Sequence, residues 1–265
     1  MILSTKLRVA LAWVLPLLLL SSCQTVRETA NAPTQAAVAR VLFIGNSITY
    51  WNYMPAWVAE LGSDLRATPP VETKDVSIPD ARLLDQLLDT SDSSPLGTIR
   101  KGGWSVVVVQ AHPREPLQNP EEFFSAASKL AHEVRQAGAE PMFFETYPFP
   151  AGDDVYKEAW SGGSPEEMHA RIREAYARLA GETGARVLPI GDAWQLVRAN
   201  HPEINLYAKD ERHPSANGSY LVACVIISSI TGKNPRSATW LPTSGVTMVE
   251  AEAAILRDVA ESVRP

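Results

Sequence analysis

The amino-acid sequence predicts an α/β fold, a three-layer, doubly wound α/β/α domain built around a mainly parallel sheet of about five strands. Short apolar runs recur along the chain, and they are continuous rather than alternating, as in strands covered on both faces. Amphipathic helical segments lie between these runs, an order typical of parallel sheets. Polar and glycine-containing segments follow several of the runs, where the loops of such a sheet carry ligand sites.

The strand predictions depend on runs of branched and aromatic residues that end at Gly or at polar residues. The first run, Arg40–Gly45, is predicted to be a buried strand at the start of the domain. The other runs of this kind are Val106–Val109, Met142–Phe144 and Val187–Ile190, with the less apolar Val71–Ile78 as a fifth candidate. Because the carboxyl ends of parallel strands share one edge of the sheet, the segments that follow these runs should converge there.

The helix predictions depend on capping residues that precede apolar positions at helical spacing. Proline and two glutamates follow two of these caps directly, as at many helix N-termini. Thr247 stands three residues before Glu250, the pattern of a capping box. The predicted caps are Asn119, Ser164, Ser215 and Thr247.

The N-terminal segment is predicted to be an export signal with a site for lipid attachment. Lys6 and Arg8 precede the apolar run Val9–Leu20, which is short for a membrane-spanning helix. Small residues then lead to Cys23, as in the lipobox of bacterial lipoproteins. We therefore expect a signal peptide over residues 1–22, lipidated Cys23 with a flexible tether over residues 23–38, and a domain over residues 39–265. The alternative is an ordinary secretory signal with an incidental cysteine.

Composition narrows the possible partners. The chain has 24 basic and 30 acidic side chains. Loss of Lys6 and Arg8 with the signal leaves 22 basic against 30 acidic, a net charge of −8. An acidic chain without a basic stripe disfavours nucleic acid as a partner. The expected location is the cell envelope, anchored to a membrane by lipid. In a Gram-negative host, Gln24 after the lipidated residue favours the periplasmic or surface face of the outer membrane.

Ser47 is the first candidate for chemistry. It follows the first predicted strand directly, behind Gly45 and Asn46. A turn into a helix at this point would expose the hydroxyl and place the Ser47 N–H where it can stabilise an oxyanion. The pattern is not the Gly-x-Ser-x-Gly elbow of α/β-hydrolases, because position 49 is Thr. Taken alone, a serine at this position is more often a helix cap than a nucleophile.

Asp210 and His213 form the second candidate. They lie three residues apart in a polar loop, just before the helix that Ser215 is predicted to cap. A catalytic histidine needs an acceptor that fixes its tautomer, and an aspartate three residues upstream can fold back to supply one. The alternative is a solvated loop that contains an incidental histidine.

Together, the two segments resemble the SGNH, or GDSL-like, hydrolases. Members of that family place a nucleophilic serine after the first strand, here in Gly45–Ser47, and Asp-x-x-His near the C-terminus, here Asp210–His213. The resemblance extends over about residues 40–235 and is to a poorly characterised bacterial lipoprotein branch. It implies that Ser47 is the nucleophile, His213 the base and Asp210 the residue that orients the base.

The resemblance also implies an oxyanion hole made by Ser47, Asp80 and Gln110. The family supplies one N–H from a glycine after the second strand, and Asp80 stands at that position. Its carboxylate would repel an oxyanion unless it points away or pairs with Arg82. The third donor is usually an asparagine amide, and Gln110 replaces it here with a longer stem.

The remaining candidates are less specific. Four side chains are predicted as substrate contacts, because they lie on segments at the edge of the sheet where the strands end. Asp192, which follows another predicted strand, is the alternative to Asp210 as the acid. No histidine pair has the spacing of metal ligands, so neither a metal nor a cofactor is expected. The predicted contacts are Trp51, His112, Tyr147 and Trp160.

These observations predict a serine hydrolase of carboxylic esters, with an O-acetylated glycan as the substrate that the envelope location favours. The reaction would pass through an acyl-enzyme on Ser47. The alternative is a non-catalytic, glycan-binding envelope lipoprotein on a degenerate hydrolase scaffold. The altered residues Asp80 and Gln110 keep that alternative open.

Overall fold

A computed structural model of the protein describes residues 38–243 and 245–264. The predicted signal peptide, Cys23 and nearly all of the predicted tether lie outside the described residues. Among the described helices, none is both long and apolar enough to cross a membrane.

Five parallel strands form the sheet, in the order β2-β1-β3-β4-β5. This confirms the predicted fold class. The last strand is shorter than the sequence predicts, because Ile190 already begins the next helix. The strands are β1 (Ala39–Ile44), β2 (Val71–Asp75), β3 (Val106–Gln110), β4 (Glu140–Phe144) and β5 (Arg186–Leu188).

Ten α-helices and four short 3₁₀ segments connect and cover the described strands. The α-helices are α1 (Ser47–Tyr50), α2 (Met54–Asp64), α3 (Asp85–Leu88), α4 (Pro95–Arg100), α5 (Glu115–Gln118), α6 (Pro120–Gln136), α7 (Pro165–Thr183), α8 (Ile190–Asn200), α9 (Ala216–Thr231) and α10 (Glu250–Ser262). The 3₁₀ segments are Trp51–Tyr53, Asp154–Lys157, Ala159–Ser161 and Pro235–Ser237.

The sheet has a separate apolar core on each face, because successive strand side chains point to opposite sides. Val41 and Phe43 of β1 pack under α2, α8, α9 and α10. Leu42 and Ile44 pack under α4, α6 and α7. Continuous apolar strands therefore bury both faces, as the sequence pattern predicts.

Two of the four predicted helix caps form as expected. The Ser164 and Ser215 hydroxyls accept the N–H groups of Glu167 and Gly218. Asn119 stands at the N-cap of α6, but its side chain makes no capping hydrogen bond. The capping box at Thr247 was a wrong prediction, since α10 begins only at Glu250. The Glu250 carboxylate accepts a hydrogen bond from Arg257 of the same helix, so it does not close a box with Thr247.

Candidate active site

Ser47 lies at the carboxyl end of β1, as the first residue of α1. Asn46 is extended, and its side-chain oxygen accepts the Ile48 N–H at 3.1 Å, which starts the helix. The Asn46 amide nitrogen donates to the Ala81 carbonyl at 3.2 Å. Asn46 therefore joins the serine turn to the loop after β2.

Gly45 is required by close packing at this turn. A Cβ atom at this position would lie 2.5 Å from Thr49 Oγ1 and 2.6 Å from Gln110 Oε1. Any larger residue would push the serine turn away from the end of β3.

The structure brings Ser47, His213 and Asp210 into one hydrogen-bonded chain. His213 Nε2 lies 2.7 Å from Ser47 Oγ, across 166 positions of sequence. His213 Nδ1 lies 2.6 Å from Asp210 Oδ2. Both distances are within the range of strong hydrogen bonds. This geometry matches what a nucleophile, its base and an orienting acid require.

The Asp210 side chain holds the Asp210–His213 loop in a tight turn. Asp210 Oδ1 accepts the N–H groups of Arg212 and His213, each at 3.0 Å. Glu211 adopts a left-handed φ of 59° between them. Burial acts to raise the pKa of Asp210, but the hydrogen bonds from His213 and Arg212 outweigh it and lower that pKa. The acid thus stays ionised beside the imidazole.

Trp51 contacts the histidine rather than the pocket. Its ring stacks on the His213 imidazole with centroids 3.8 Å apart and planes 8° apart. The next residue, Asn52, has a left-handed φ of 55° and donates to the Pro214 carbonyl at 3.1 Å. Trp51 lies outside the pocket lining and packs on the His213 ring, and its role as a substrate contact stays a prediction.

Ser47 and Asp80 each have a backbone N–H group and both line the same pocket. Asp80 has a φ of 56°, in the region that glycine adopts most easily. Among the described residues, neither the Ser47 N–H nor the Asp80 N–H has a hydrogen-bond acceptor. The Asp80 side chain is 95% exposed, and its carboxylate lies 3.7 Å from His112 Nε2. Arg82 binds Asp85 and Glu122 instead of Asp80.

Gln110 does not fit the oxyanion role that the resemblance implies. Its side chain is buried, and its Oε1 atom accepts the Asn46 N–H and the Thr49 hydroxyl, each at 2.9 Å. Its Nε2 atom donates to the Ala111 carbonyl. Since the Asn46 N–H can only donate, the amide oxygen must face the serine turn and the amide nitrogen must face away from it. Gln110 instead holds the serine turn in place.

The pocket beside Ser47 is small, with a volume of about 140 Å³. The lining also includes Arg114 and Arg212, which the sequence did not predict as site residues. Burial lowers the pKa of His112, and these two arginines lower it further despite the opposing effect of Asp80. The lining residues are Asn46, Ser47, Ile48, Asp80, His112, Pro113, Arg114, Phe149, Arg212 and His213.

His112 alone among the four predicted substrate contacts lines this pocket. Tyr147 was a wrong prediction, because it is buried in the core and stacks on Trp194 with centroids 3.7 Å apart. Trp160 lies outside the pocket lining and packs, partly buried, against the core that includes Phe123, so its role as a substrate contact stays a prediction. One aromatic residue close to Tyr147 in sequence does line the pocket, and it is Phe149.

Asp192, the alternative acid, lies next to a different histidine. Its Oδ1 atom is 3.3 Å from His169 Nε2. His213 is oriented by Asp210, so the described geometry favours Asp210 for that role.

Solved structures resemble most of the chain. A candidate SGNH hydrolase from Slackia heliotrinireducens shares 30% sequence identity over 73% of this chain and 99% of that chain, with a TM-score of 0.62. A DUF4886 family protein from Bacteroides uniformis has a TM-score of 0.69 at 17% identity, covering 85% of this chain and 94% of that chain. The acetylxylan esterase Axe2 from Geobacillus stearothermophilus has a TM-score of 0.53 at 14% identity, covering 72% of this chain and 94% of that chain.

No protein-family model matches the sequence, and a search of curated proteins gives no significant match.

Proposed function

Because the chain belongs to the SGNH hydrolase family, we propose that it hydrolyses carboxylic esters with Ser47 as nucleophile, His213 as base and Asp210 as the orienting acid. The observation that carries this proposal is the continuous chain of contacts from Ser47 Oγ to His213 Nε2 at 2.7 Å and from His213 Nδ1 to Asp210 Oδ2 at 2.6 Å. An incidental histidine in a solvated loop would have no reason to bridge a serine and a carboxylate at these distances.

The proposed reaction has two halves. In the first, His213 accepts the proton of the Ser47 hydroxyl as Oγ attacks the ester carbonyl. The tetrahedral oxyanion accepts the Ser47 and Asp80 N–H groups, and its collapse releases the alcohol, which takes the proton from His213. In the second half, His213 deprotonates a water molecule that attacks the acyl-enzyme. Collapse of this intermediate releases the carboxylic acid and returns the proton to Ser47.

The pocket favours a short acyl group. Its volume of about 140 Å³ lies well below that of typical sites for drug-sized ligands, about 300–1,000 Å³. An acetyl group suits this space. The arginines and His112 at the pocket wall suit a polar, hydrogen-bonding alcohol better than a lipid chain. We therefore propose an O-acetylated glycan as substrate, and the resemblance to an acetylxylan esterase supports this class.

We also propose that the protein is exported and anchored in the cell envelope by lipid on Cys23. The lipobox sequence supports this location, and glycans acetylated in the envelope are then accessible to the domain. Replacement of Cys23 by Ser should leave the protein without lipid. A block of lipoprotein processing should make the larger, unprocessed precursor accumulate. If the protein has the same size with and without the block, the proposal is contradicted.

The proposed nucleophile is tested with a fluorophosphonate probe and a panel of aryl esters of increasing chain length. The wild-type protein should label on Ser47 and should hydrolyse acetyl esters fastest. Ser47→Ala should abolish labelling, and both Ser47→Ala and His213→Ala should lower kcat by about 10⁴-fold or more. Their double mutant should be little worse than either, since members of one catalytic unit are non-additive.

Matched controls come from exposed residues of the same types. Ser93→Ala and His132→Ala should retain labelling and turnover, because both side chains lie on the surface away from the pocket lining. Labelling that persists in Ser47→Ala would refute Ser47 as the nucleophile. A folded wild-type protein that neither labels nor hydrolyses any ester, yet binds acetylated glycans, would favour the non-catalytic alternative.

A further inference from the structure

A second cavity lies away from the proposed triad, between α7 and α8. Its volume is about 560 Å³, and its wall includes His169 of α7 and Asp192 of α8. Behind them stands Glu145, the first residue after β4. Gly191 lets α8 approach this carboxylate closely, since a Cβ atom at that position would lie 3.0 Å from Glu145 Oε1. Three separate elements therefore direct one ligand-bearing side chain each to a common point.

The three side chains lie at ion-pair distance, but their angles fall outside hydrogen-bond geometry. His169 Nε2 is 3.4 Å from Glu145 Oε1 and 3.3 Å from Asp192 Oδ1. Within the described chain, neither Glu145 Oε1 nor His169 Nε2 has a hydrogen-bond partner of acceptable geometry. The Glu145 side chain is only 3% exposed. A buried carboxylate oxygen without a partner is costly, so a positive charge at this point, on a bound ion or on His169, would stabilise it.

The spacing of the ligand atoms is that of a metal coordination shell. Zinc binds histidine nitrogen at about 2.0–2.1 Å and carboxylate oxygen at about 2.0–2.2 Å. Two such ligands at a tetrahedral angle are about 3.3–3.5 Å apart. Two of the three ligand separations, 3.3 Å from His169 to Asp192 and 3.4 Å from His169 to Glu145, agree with this value.

We propose that Glu145, His169 and Asp192 bind a divalent zinc ion. Two carboxylates and a neutral imidazole carry a combined charge of −2, which a Zn²⁺ ion neutralises. The mixture of one nitrogen and two oxygen ligands suits zinc better than calcium, which prefers oxygen alone. His169 and Asp192 line the cavity, so solvent would reach the ion from that side. The ion would join β4, α7 and α8 at a point remote from Ser47.

A proton on His169 is the competing source of positive charge. Burial acts to lower the pKa of His169, but Asp192 and Glu145 outweigh it and raise that pKa to about 9. Arg173 is also close, with Nε 3.7 Å from Asp192 Oδ1, but its side chain is 68% exposed and can turn outward. The metal and the proton therefore make different predictions for titration with zinc.

Calorimetric titration of the chelator-treated, purified protein with ZnCl₂ tests the proposal, together with thermal unfolding. We expect one zinc ion per chain, with a dissociation constant in the micromolar range or below, and a rise in Tm of several degrees. His169→Gln and Asp192→Asn should each weaken binding by at least tenfold and abolish the rise in Tm. Glu145→Gln should do the same if it folds. Asp192 is partly exposed, so its variant remains informative if the Glu145 variant is unstable.

Two controls separate this site from its surroundings and from the proposed triad. Glu166→Gln removes a carboxylate from the same cavity wall and should leave zinc binding unchanged. His213→Ala should also retain the bound zinc, because His213 lies in the other pocket. Absence of zinc binding in the wild-type protein would overturn the proposal and favour the protonated His169. Zinc binding that is lost in His213→Ala and kept in His169→Gln would overturn it equally.

Discussion

Replacement of Gln110 by Ala tests which of two roles this residue has. The structure indicates that it holds the serine turn, whereas the family resemblance implies that it donates to the oxyanion. In the structure, Gln110 Oε1 accepts the Asn46 N–H and the Thr49 hydroxyl, each at 2.9 Å. The substitution should therefore reduce stability first, because it deprives buried polar groups of their partner. An oxyanion donor, in contrast, should reduce kcat without a comparable change in stability.

The expected loss follows from the groups left behind. An orphaned, buried N–H at Asn46 costs about 1–3 kcal/mol, and loss of the Thr49 partner costs about 1 kcal/mol. Removal of one buried methylene adds about 0.8 kcal/mol. The free energy of unfolding should therefore fall by about 3–5 kcal/mol. For a domain of this size, each 1 kcal/mol lowers Tm by about 2–4 °C, so Tm should fall by roughly 10 °C.

Thermal and urea unfolding of the purified variant, followed by circular dichroism, measure this loss. Gln136→Ala is the matched control, because Gln136 is exposed on α6 and its removal should change Tm little. Thr49→Val removes only the hydroxyl donor and should cost about 1 kcal/mol. In the double variant with Gln110→Ala, the two losses should not add, since both remove the same hydrogen bond.

A Gln110→Ala variant with wild-type Tm and a roughly 100-fold lower kcat would refute this reasoning. That result would mean that the amide turns toward the pocket and donates to the oxyanion, as the family resemblance implies. Loss of stability together with slow Ser47 labelling would instead support a positioning role for Gln110.

Three further changes probe the same region. In urea unfolding, Asp80→Gly should leave the free energy of unfolding within about 0.5 kcal/mol of wild type. Glycine relieves the strain of the left-handed φ, but this gain is offset by its greater freedom in the unfolded chain. Asp80→Ala should lower the free energy of unfolding by about 1 kcal/mol. If the Asp80 carboxylate opposes the oxyanion, Asp80→Gly should also hydrolyse simple esters faster, and slower hydrolysis would mean that the carboxylate contributes. Burial raises the pKa of Glu115 from 4.5 to about 7. The contribution of this residue to the free energy of unfolding should therefore be fully present below pH 4.5 and lost as the pH rises through about 7. The loss is at most about 3 kcal/mol. Glu115→Gln should flatten this part of the Tm-against-pH curve, and an unchanged slope would contradict the assignment. Trp51→Ala should lower kcat about tenfold with little change in KM, because the His213 ring loses its stacking partner, while Trp51→Phe should restore most of the rate. A change in KM alone would return Trp51 to the role of substrate contact.

The parts of the fold that sequence could predict are those that local patterns encode. Continuous apolar runs such as Val106–Val109 mark buried parallel strands because both faces of each strand are covered. The position of Ser47 after β1 and the three-residue spacing of Asp210 and His213 are likewise local. The contact between Ser47 and His213 could be predicted only from the family resemblance, because the two residues are far apart in sequence.

The parts that sequence could not predict depend on contacts between distant segments. The resemblance places Gln110 at the end of a strand but does not show that the Asn46 N–H occupies its amide oxygen. The stacking of Trp51 depends on the turn at Asn52, whose left-handed φ is rare for any residue other than glycine. The Glu145, His169 and Asp192 cluster comes from three elements with more than 20 residues between neighbours, so no motif spacing announces it.

Both ends of the described domain lie at the edge of the sheet opposite the pocket. β1 begins at Ala39, about 17 Å from its other end at Ile44, which leads to Ser47. At the other end of the chain, Arg264 donates to the Gly232 carbonyl beside Arg186, the first residue of β5. A bead, fusion partner or solid support linked to either terminus would therefore leave the mouth of the pocket unobstructed. The domain can accordingly be immobilised from either end and still face an insoluble polymer.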